Sequence, residues 1–282
     1  MSFEDVNRRE GRDIGGEIED AYEQSKVFLD TTRIKIDNFS GLYDPSLLEA
    51  DQKEVDRLKD IFQRQEQENT PIREAKHASV VLEAAISRNV SQNLWFGGNS
   101  SIVHTSEYDD FVNGVDGILR IKETGRDSFL ALGVDVTFSG HVEKKIERIR
   151  DELAGGELAE VKYFDLPSAG FKGRLTDVPR IVLGADFRTV AELAHQQNIG
   201  NENVVKKHWL QYQLLEMAIM QCEAFGRFAK RKGFQKAAGI YAQDQHRLEG
   251  ILNLKKKTAS FVPEDRDRVF ADVKRSLGLL NS

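Results

Sequence analysis

The chain has 282 residues, 40% hydrophobic and 30% charged, with a formal net charge of −6, a composition with enough apolar material for one large core or two modest ones. No apolar run approaches the ~20 residues of a membrane-spanning helix, the polar opening MSFEDVNRRE predicts no signal peptide, and one cysteine, Cys222, excludes an internal disulfide and a cysteine-based zinc site. The expectation is a soluble, cytoplasmic protein without a membrane partner. Its charge is uneven: residues 1–70 carry 18 acidic and 10 basic side chains, whereas residues 201–257 carry 5 acidic and 11 basic. A basic C-terminal region beside an acidic head permits nucleic-acid contact without requiring it.

Residues 1–45 mix Gly-rich, charged and apolar stretches without a clear period. LYDPSLLEADQKEVDRLKDIFQRQEQE then reads as a charged amphipathic helix with a narrow apolar stripe through Leu47, Leu48, Val55, Leu58, Ile61 and Phe62. It would brace the domain behind it, pair with a protein partner or mediate self-association. Thr70 and Pro71 open a second helix, in which Ala75, Ala78, Leu82, Ala85 and Ile86 follow helical spacing. Strands are expected at SIVHT, VDGILRI and FLALGVDVTF, then a helix at HVEKKIERIRDELA stopped by Gly155 and Gly156. Strands AEVKYFDL and PRIVLGADF and a helix RTVAELAHQQ follow. Beyond residue 200 the pattern is helical throughout, with a long helix carrying Leu210, Leu214, Met217, Ile219, Cys222, Phe225 and Phe228.

This order predicts an α/β (α+β) fold in three parts: an acidic, partly helical arm over 1–70, a core with a mixed central sheet flanked by helices over 71–200, and a helical region over 201–282. Within the core, three acids stand where folding alone would not put them. Glu83 interrupts the apolar run VVLEAAI, Asp116 sits in VDGILRI, and Asp135 sits in LALGVDVTF. An ionised carboxylate in a buried strand costs several kcal/mol unless a cation or a polar cleft compensates. If the two strands are neighbours, Asp116 and Asp135 could converge with Glu83 above them, and Mg²⁺ is the natural guest of such a cluster.

The layout of helix–Glu, strand–Asp and a next strand with acid–x–polar resembles the PD-(D/E)xK nuclease superfamily, as does the α–β–β–β–α–β order, over about residues 72–185. The resemblance implies a restriction-endonuclease-like fold and Mg²⁺- or Mn²⁺-dependent hydrolysis of a nucleic acid, DNA more than RNA. It implies that Asp116, Asp135 and the Val136 carbonyl hold the metal with Glu83. Where the superfamily has lysine this chain has Thr137, so Lys144 or Lys145, at the start of the next helix, would supply the amine. The alternative is a fold of this kind without catalysis, serving as a binding or assembly module.

Other residues admit two readings. Lys162, Lys172 and Arg174, interleaved with Tyr163, Phe164 and Phe171, could grip a nucleic-acid backbone and stack bases, or form an edge strand and loop. Asp109 and Asp110 could be extra ligands, but their types suit the turn before a strand. His104 could carry protons in a cleft or simply be packed.

Overall fold

Short polar side chains set the first helices. Asp13 caps α1 (Ile14–Thr32), its Oδ1 accepting from the Gly16 N–H at 2.9 Å. Asp44 caps α2 (Pro45–Glu68), and Asn69 ends α2 and caps α3 (Thr70–Gln92); each supplies an acceptor to an otherwise unpaired first-turn N–H. The computed structural model describes residues 13–123, 126–136, 141–259 and 264–281. Helix α1 lies within the stretch expected to be irregular. Its buried residues, Ile14, Ile18, Ala21, Ser25 and Leu29, keep helical spacing, but Ala21 and Ser25 add little hydrophobicity to the signal.

The chain then builds β1 (Ser100–His104), a short helix α4 (Glu107–Phe111), β2 (Gly117–Glu123) and β3 (Arg126–Val136). Helix α5 (His141–Ala154) and a hairpin of β4 (Ala159–Leu166) and β5 (Phe171–Val178) lead to β6 (Arg180–Ala185). Four strands form one sheet in the order β1-β2-β3-β6. The first three pair antiparallel, and β3 pairs parallel with β6, Leu132 opposite Ile181 and Val136 opposite Ala185. The expected mixed sheet flanked by helices is therefore present as an α+β arrangement. Strands β4 and β5 stand apart as a two-stranded sheet, because Val161, Phe164, Leu166 and Val178 form a cluster of their own with Val115 and Ile118. Alternation along β2 sends Leu119 and Ile121 into the main cluster and Ile118 into this second one.

Helices α6 (Phe187–Asn198), α7 (Glu202–Lys206), α8 (Leu210–Arg231), α9 (Gln235–Thr258) and α10 (Arg268–Gly278) complete the described chain. They close the free edge of β6. Gln221 of α8 accepts from the Val182 N–H at 2.8 Å and donates to its carbonyl at 2.7 Å, and the Tyr241 hydroxyl does the same for Arg180, both at 3.0 Å. Side chains thus satisfy backbone groups that would otherwise template another strand. One hydrophobic cluster runs from Ile14 to Leu280, so the three expected segments share a core. No helix among the described residues is long and apolar enough to cross a membrane.

Candidate functional site

Strands β3 and β6 end side by side at Val136 and Ala185, and β2 starts at that end, Gly117 facing Leu132. Asp116 precedes Gly117 and lies just outside β2, not within it as the pattern predicted. The backbone positions of Asp116 and Asp135 therefore share the carboxyl edge of the parallel pair, where α/β sheets characteristically open a ligand crevice. The Asp135 side chain, and Thr137 entirely, lie outside the described residues.

Charged residues from four other elements meet here. Arg33, at the end of α1, donates to Asp110 of α4 at 2.7 Å and lies 3.8 Å from Glu83 of α3, with only 9%, 17% and 13% of the three side chains exposed. Asp110 and Asp116 lie close enough to interact directly, and two neighbouring carboxyl groups are relieved by a shared proton or by a cation. Burial, then the nearby Asp116, pushes the Glu83 carboxyl up to about 8 against the opposing pull of Arg33. Burial acts the same way on Asp110, but Arg33 and Lys76 outweigh it and hold that carboxyl below its usual range. The contrast separates two acids that share a guanidinium: Asp110 is bound closely to it and Glu83 is not. Glu83 Oε1 is buried and has no hydrogen-bond partner.

A cavity of about 530 Å³ opens onto this cluster. Asp110 and Asp116 line it together with Lys76, Lys145, Arg148 and Arg180, while Phe62 and Glu66 of α2 form its outer wall. Arg148 and Arg180 both donate to the Asn113 carbonyl, at 3.1 and 2.7 Å, and both pair with Glu152. They are thus held at the wall by the loop between α4 and β2. Gly114 in that loop has φ +65°, a left-handed backbone conformation that favours glycine.

The expected site residues divide. Asp116 and Lys145 line the same cavity, with Glu83 coupled electrostatically to Asp116 behind it. Lys144 is exposed and does not line it; in a helix, Lys145, Arg148 and Ile149 form the inward face and Lys144 turns away. Lys162 is corrected more sharply. Only 8% exposed, it ion-pairs with Asp51 of α2 and lies 4.9 Å over the Tyr108 ring, so its ammonium is committed inside the fold and cannot meet a phosphate. Lys172 and Arg174 stay partly exposed on β5, each paired with a carboxylate of β4, Asp165 at 3.3 Å and Glu160 at 3.0 Å.

The turn expected at Asp109 and Asp110 is the helix α4, capped by Ser106; the Ser-x-x-Asp spacing of Ser106 and Asp109 was its readable signal. Asp110 belongs to the site, whereas Asp109 is buried as a structural acceptor. His104 is packed, its Nδ1 2.6 Å from the Thr32 hydroxyl, and burial followed by Arg33 lowers it to about 4. Arg33, Lys76 and Arg180 carried no sequence signal, since only the fold brings them together.

A buried Glu83 oxygen without a hydrogen bond, beside two neighbouring acids, suits a hard divalent cation, which prefers such oxygens. Among the described residues, no group of three His, Cys, Asp or Glu side chains is placed to hold an ion; Asp135 would have to complete the set. No family model matches the chain, and neither a curated protein nor a solved structure does. Chemistry at this edge of an α+β sheet is thus the ground for assigning a function.

Proposed function

We propose that the protein hydrolyses phosphodiester bonds of a nucleic acid, DNA in preference to RNA, at the cleft on the carboxyl edge of its main sheet, with Mg²⁺ or Mn²⁺. The observation that carries this reading is that Asp116 and Lys145 line one cavity while Asp116 and the backbone of Asp135 share one edge of the main sheet, with Glu83 close enough to Asp116 to raise its own carboxyl. The order α3–β1–β2–β3–α5–β6 around one sheet, with α4 and the β4–β5 hairpin as additions, supports a restriction-endonuclease-like core.

Asp116, Asp135, the Val136 carbonyl and Glu83 would hold the ion, which when bound neutralises charge on a scissile phosphate and acidifies water. Lys145 would serve in place of the lysine that Thr137 replaces, its ammonium orienting the attacking water or meeting the developing charge. Lys76, on the same face of α3 as Glu83 and two turns away, would bind a flanking phosphate.

A second reading has its own support. Arg33 already supplies a positive charge between Glu83 and Asp110, as an internal cation would in a fold that binds without cutting. Cleavage of labelled single- and double-stranded DNA and RNA, with Mg²⁺, Mn²⁺ or chelator, separates the two. Metal-dependent cutting that disappears in Asp116→Asn and Asp135→Asn and falls steeply in Lys145→Ala is the expected result. No cutting, with nucleic acid still bound, would favour the binding module; neither cutting nor binding would end both readings.

A further inference from the structure

Far from the cleft, the seam where α1, α3, α6 and the turn into α7 meet is lined by amides rather than by apolar side chains. Seven of the thirteen residues around this cup of about 370 Å³ are Asn or Gln. Helix seams are normally closed by hydrophobic packing, so a carpet of neutral donors and acceptors calls for a different account. Two observations point to a ligand. Ser25 is only 2% exposed, lines the cup, and its hydroxyl makes no hydrogen bond with a described residue. The side-chain amides of Gln24, Gln92 and Gln197 around it are likewise without a hydrogen bond to a described residue.

We propose that this cup binds a nucleobase, supplied by a free nucleoside or by an unpaired strand, through the hydrogen-bonding edge of the ring. Asn89, Asn93, Asn198 and Asn201 already donate within the fold, but Gln24, Gln92 and Gln197 each offer a donor and an acceptor side by side, the arrangement with which Asn and Gln read base edges. Arg88 lines the cup with its guanidinium 4.4 Å over the Phe28 ring and one N–H on the Gln24 carbonyl at 3.3 Å, and guanidinium planes stack on unstacked bases. Helices α3 and α6 both end at the cup, so their terminal carbonyls favour a ligand rich in N–H groups and disfavour a phosphate. The volume falls in the range of small-molecule sites. From Lys76 at the cleft to Gln92 at the cup, α3 runs roughly 24 Å, so the cup is separate from the proposed hydrolytic site and does not depend on it.

The test is isothermal calorimetry without divalent cation, in an Asp116→Asn background, so that loss of hydrolysis cannot mimic loss of binding. The four common nucleosides, unpaired ten-residue DNA oligomers, the matching duplex and ribose alone are titrated against that protein. The same titrations are run on it carrying Gln92→Ala with Gln197→Ala, or Ser25→Ala, whose side chains hold nothing in the fold. Saturable nucleoside binding, about tenfold weaker in the double variant, supports the proposal with a free ligand. Binding of the unpaired oligomer but not the duplex, with the same weakening, supports it with a strand as the source. No saturation by any nucleoside or oligomer, affinity unchanged in both variants, or ribose binding as tightly as a nucleoside would overturn it.

Discussion

Two buried polar clusters flank α4, and they differ in how completely they are satisfied. On one side, Asp109 accepts four hydrogen bonds, from the Ser106 hydroxyl, the Asn113 amide and the backbone N–H groups of Lys162 and Tyr163, all between 2.7 and 3.0 Å. Next to it Asp51 takes both the Lys162 ammonium and the Tyr163 hydroxyl. On the other side, Glu83 Oε1, Arg33 Nε and His104 Nε2 are buried without a hydrogen bond, and Asp110 lies against the acid Asp116. A saturated network rigidifies a fold, while a partly satisfied one is kept where function needs it. Neighbouring residues in the sequence, Asp109 and Asp110, thus belong to opposite regimes: the first fastens the β4–β5 hairpin and the second faces the cleft.

The largest expected effect tests that division directly. Asp109→Ala strands two backbone N–H groups in the interior and should lower stability by about 4 kcal/mol in urea titration. Asp116→Asn, at the open edge of the cleft, should lower it by less than about 1 kcal/mol. Equal losses would break the comparison and make the cleft acids structural. Next in size is the Asp51–Lys162 pair. Asp51→Asn and Lys162→Met should each cost about 3 kcal/mol by leaving the other group buried alone, and the double variant should cost clearly less than their sum. Strict additivity would mean that α2 is not held by this pair.

These two regimes also explain what could be read in advance. Strongly periodic segments were legible, as were the in-run acids: the apolar spacing of α3 and α8, the runs of β2 and β3, and the exceptions Glu83 and Asp116 all reflect short-range pattern. Of the hairpin, β4 was legible as a strand but β5 was not, because the polar FKGRLTDV lacks an apolar run, and the separation of the pair from the main sheet depends on where Val115 and Ile118 present their side chains, a long-range matter. Lys162 looked like a surface cation among aromatics because the sequence cannot show that Asp51, more than a hundred positions earlier, comes to meet it. Arg33 was hidden for the same reason, and because α1 fills its buried face with Ala21 and Ser25 as well as with isoleucine and leucine.

Acid should lower stability through the packed imidazoles, because the raised Glu83 carboxyl of the cleft takes up its proton already near pH 8 in the folded chain and lends stability as pH falls. Burial lowers both His104, assisted by Arg33, and His208 from 6.5 to about 4. The unfolded chain takes up these two protons near pH 6.5 and the folded chain only near pH 4. The stability they lend is therefore complete above about pH 6.5 and is lost as pH falls through 4. His104→Gln, which retains an amide for the Thr32 hydroxyl, should flatten the fall in Tm between pH 6.5 and 4.5 by an amount equivalent to roughly 1–2 kcal/mol. An unchanged slope would show that His104 is solvated in the folded state.

The smallest effect concerns the hairpin's outer face. Lys172 and Arg174 pair across the strands with Asp165 and Glu160 while 43% and 49% of their side chains stay exposed, so either change to alanine should move stability by no more than about 0.5 kcal/mol. That near-silence makes them clean probes, because any change in nucleic-acid affinity cannot then be traced to folding. If β5 meets the backbone, each variant should weaken binding alike across sequences and reduce the slope of log affinity against log salt by about one. If the slope is unmoved, the carboxylates of β4 already neutralise these cations and the nucleic acid enters from the α5 side, past Lys145 and Arg148. The hairpin would then act only through its inner face, where Asp109 holds it and thereby sets the position of Asp110.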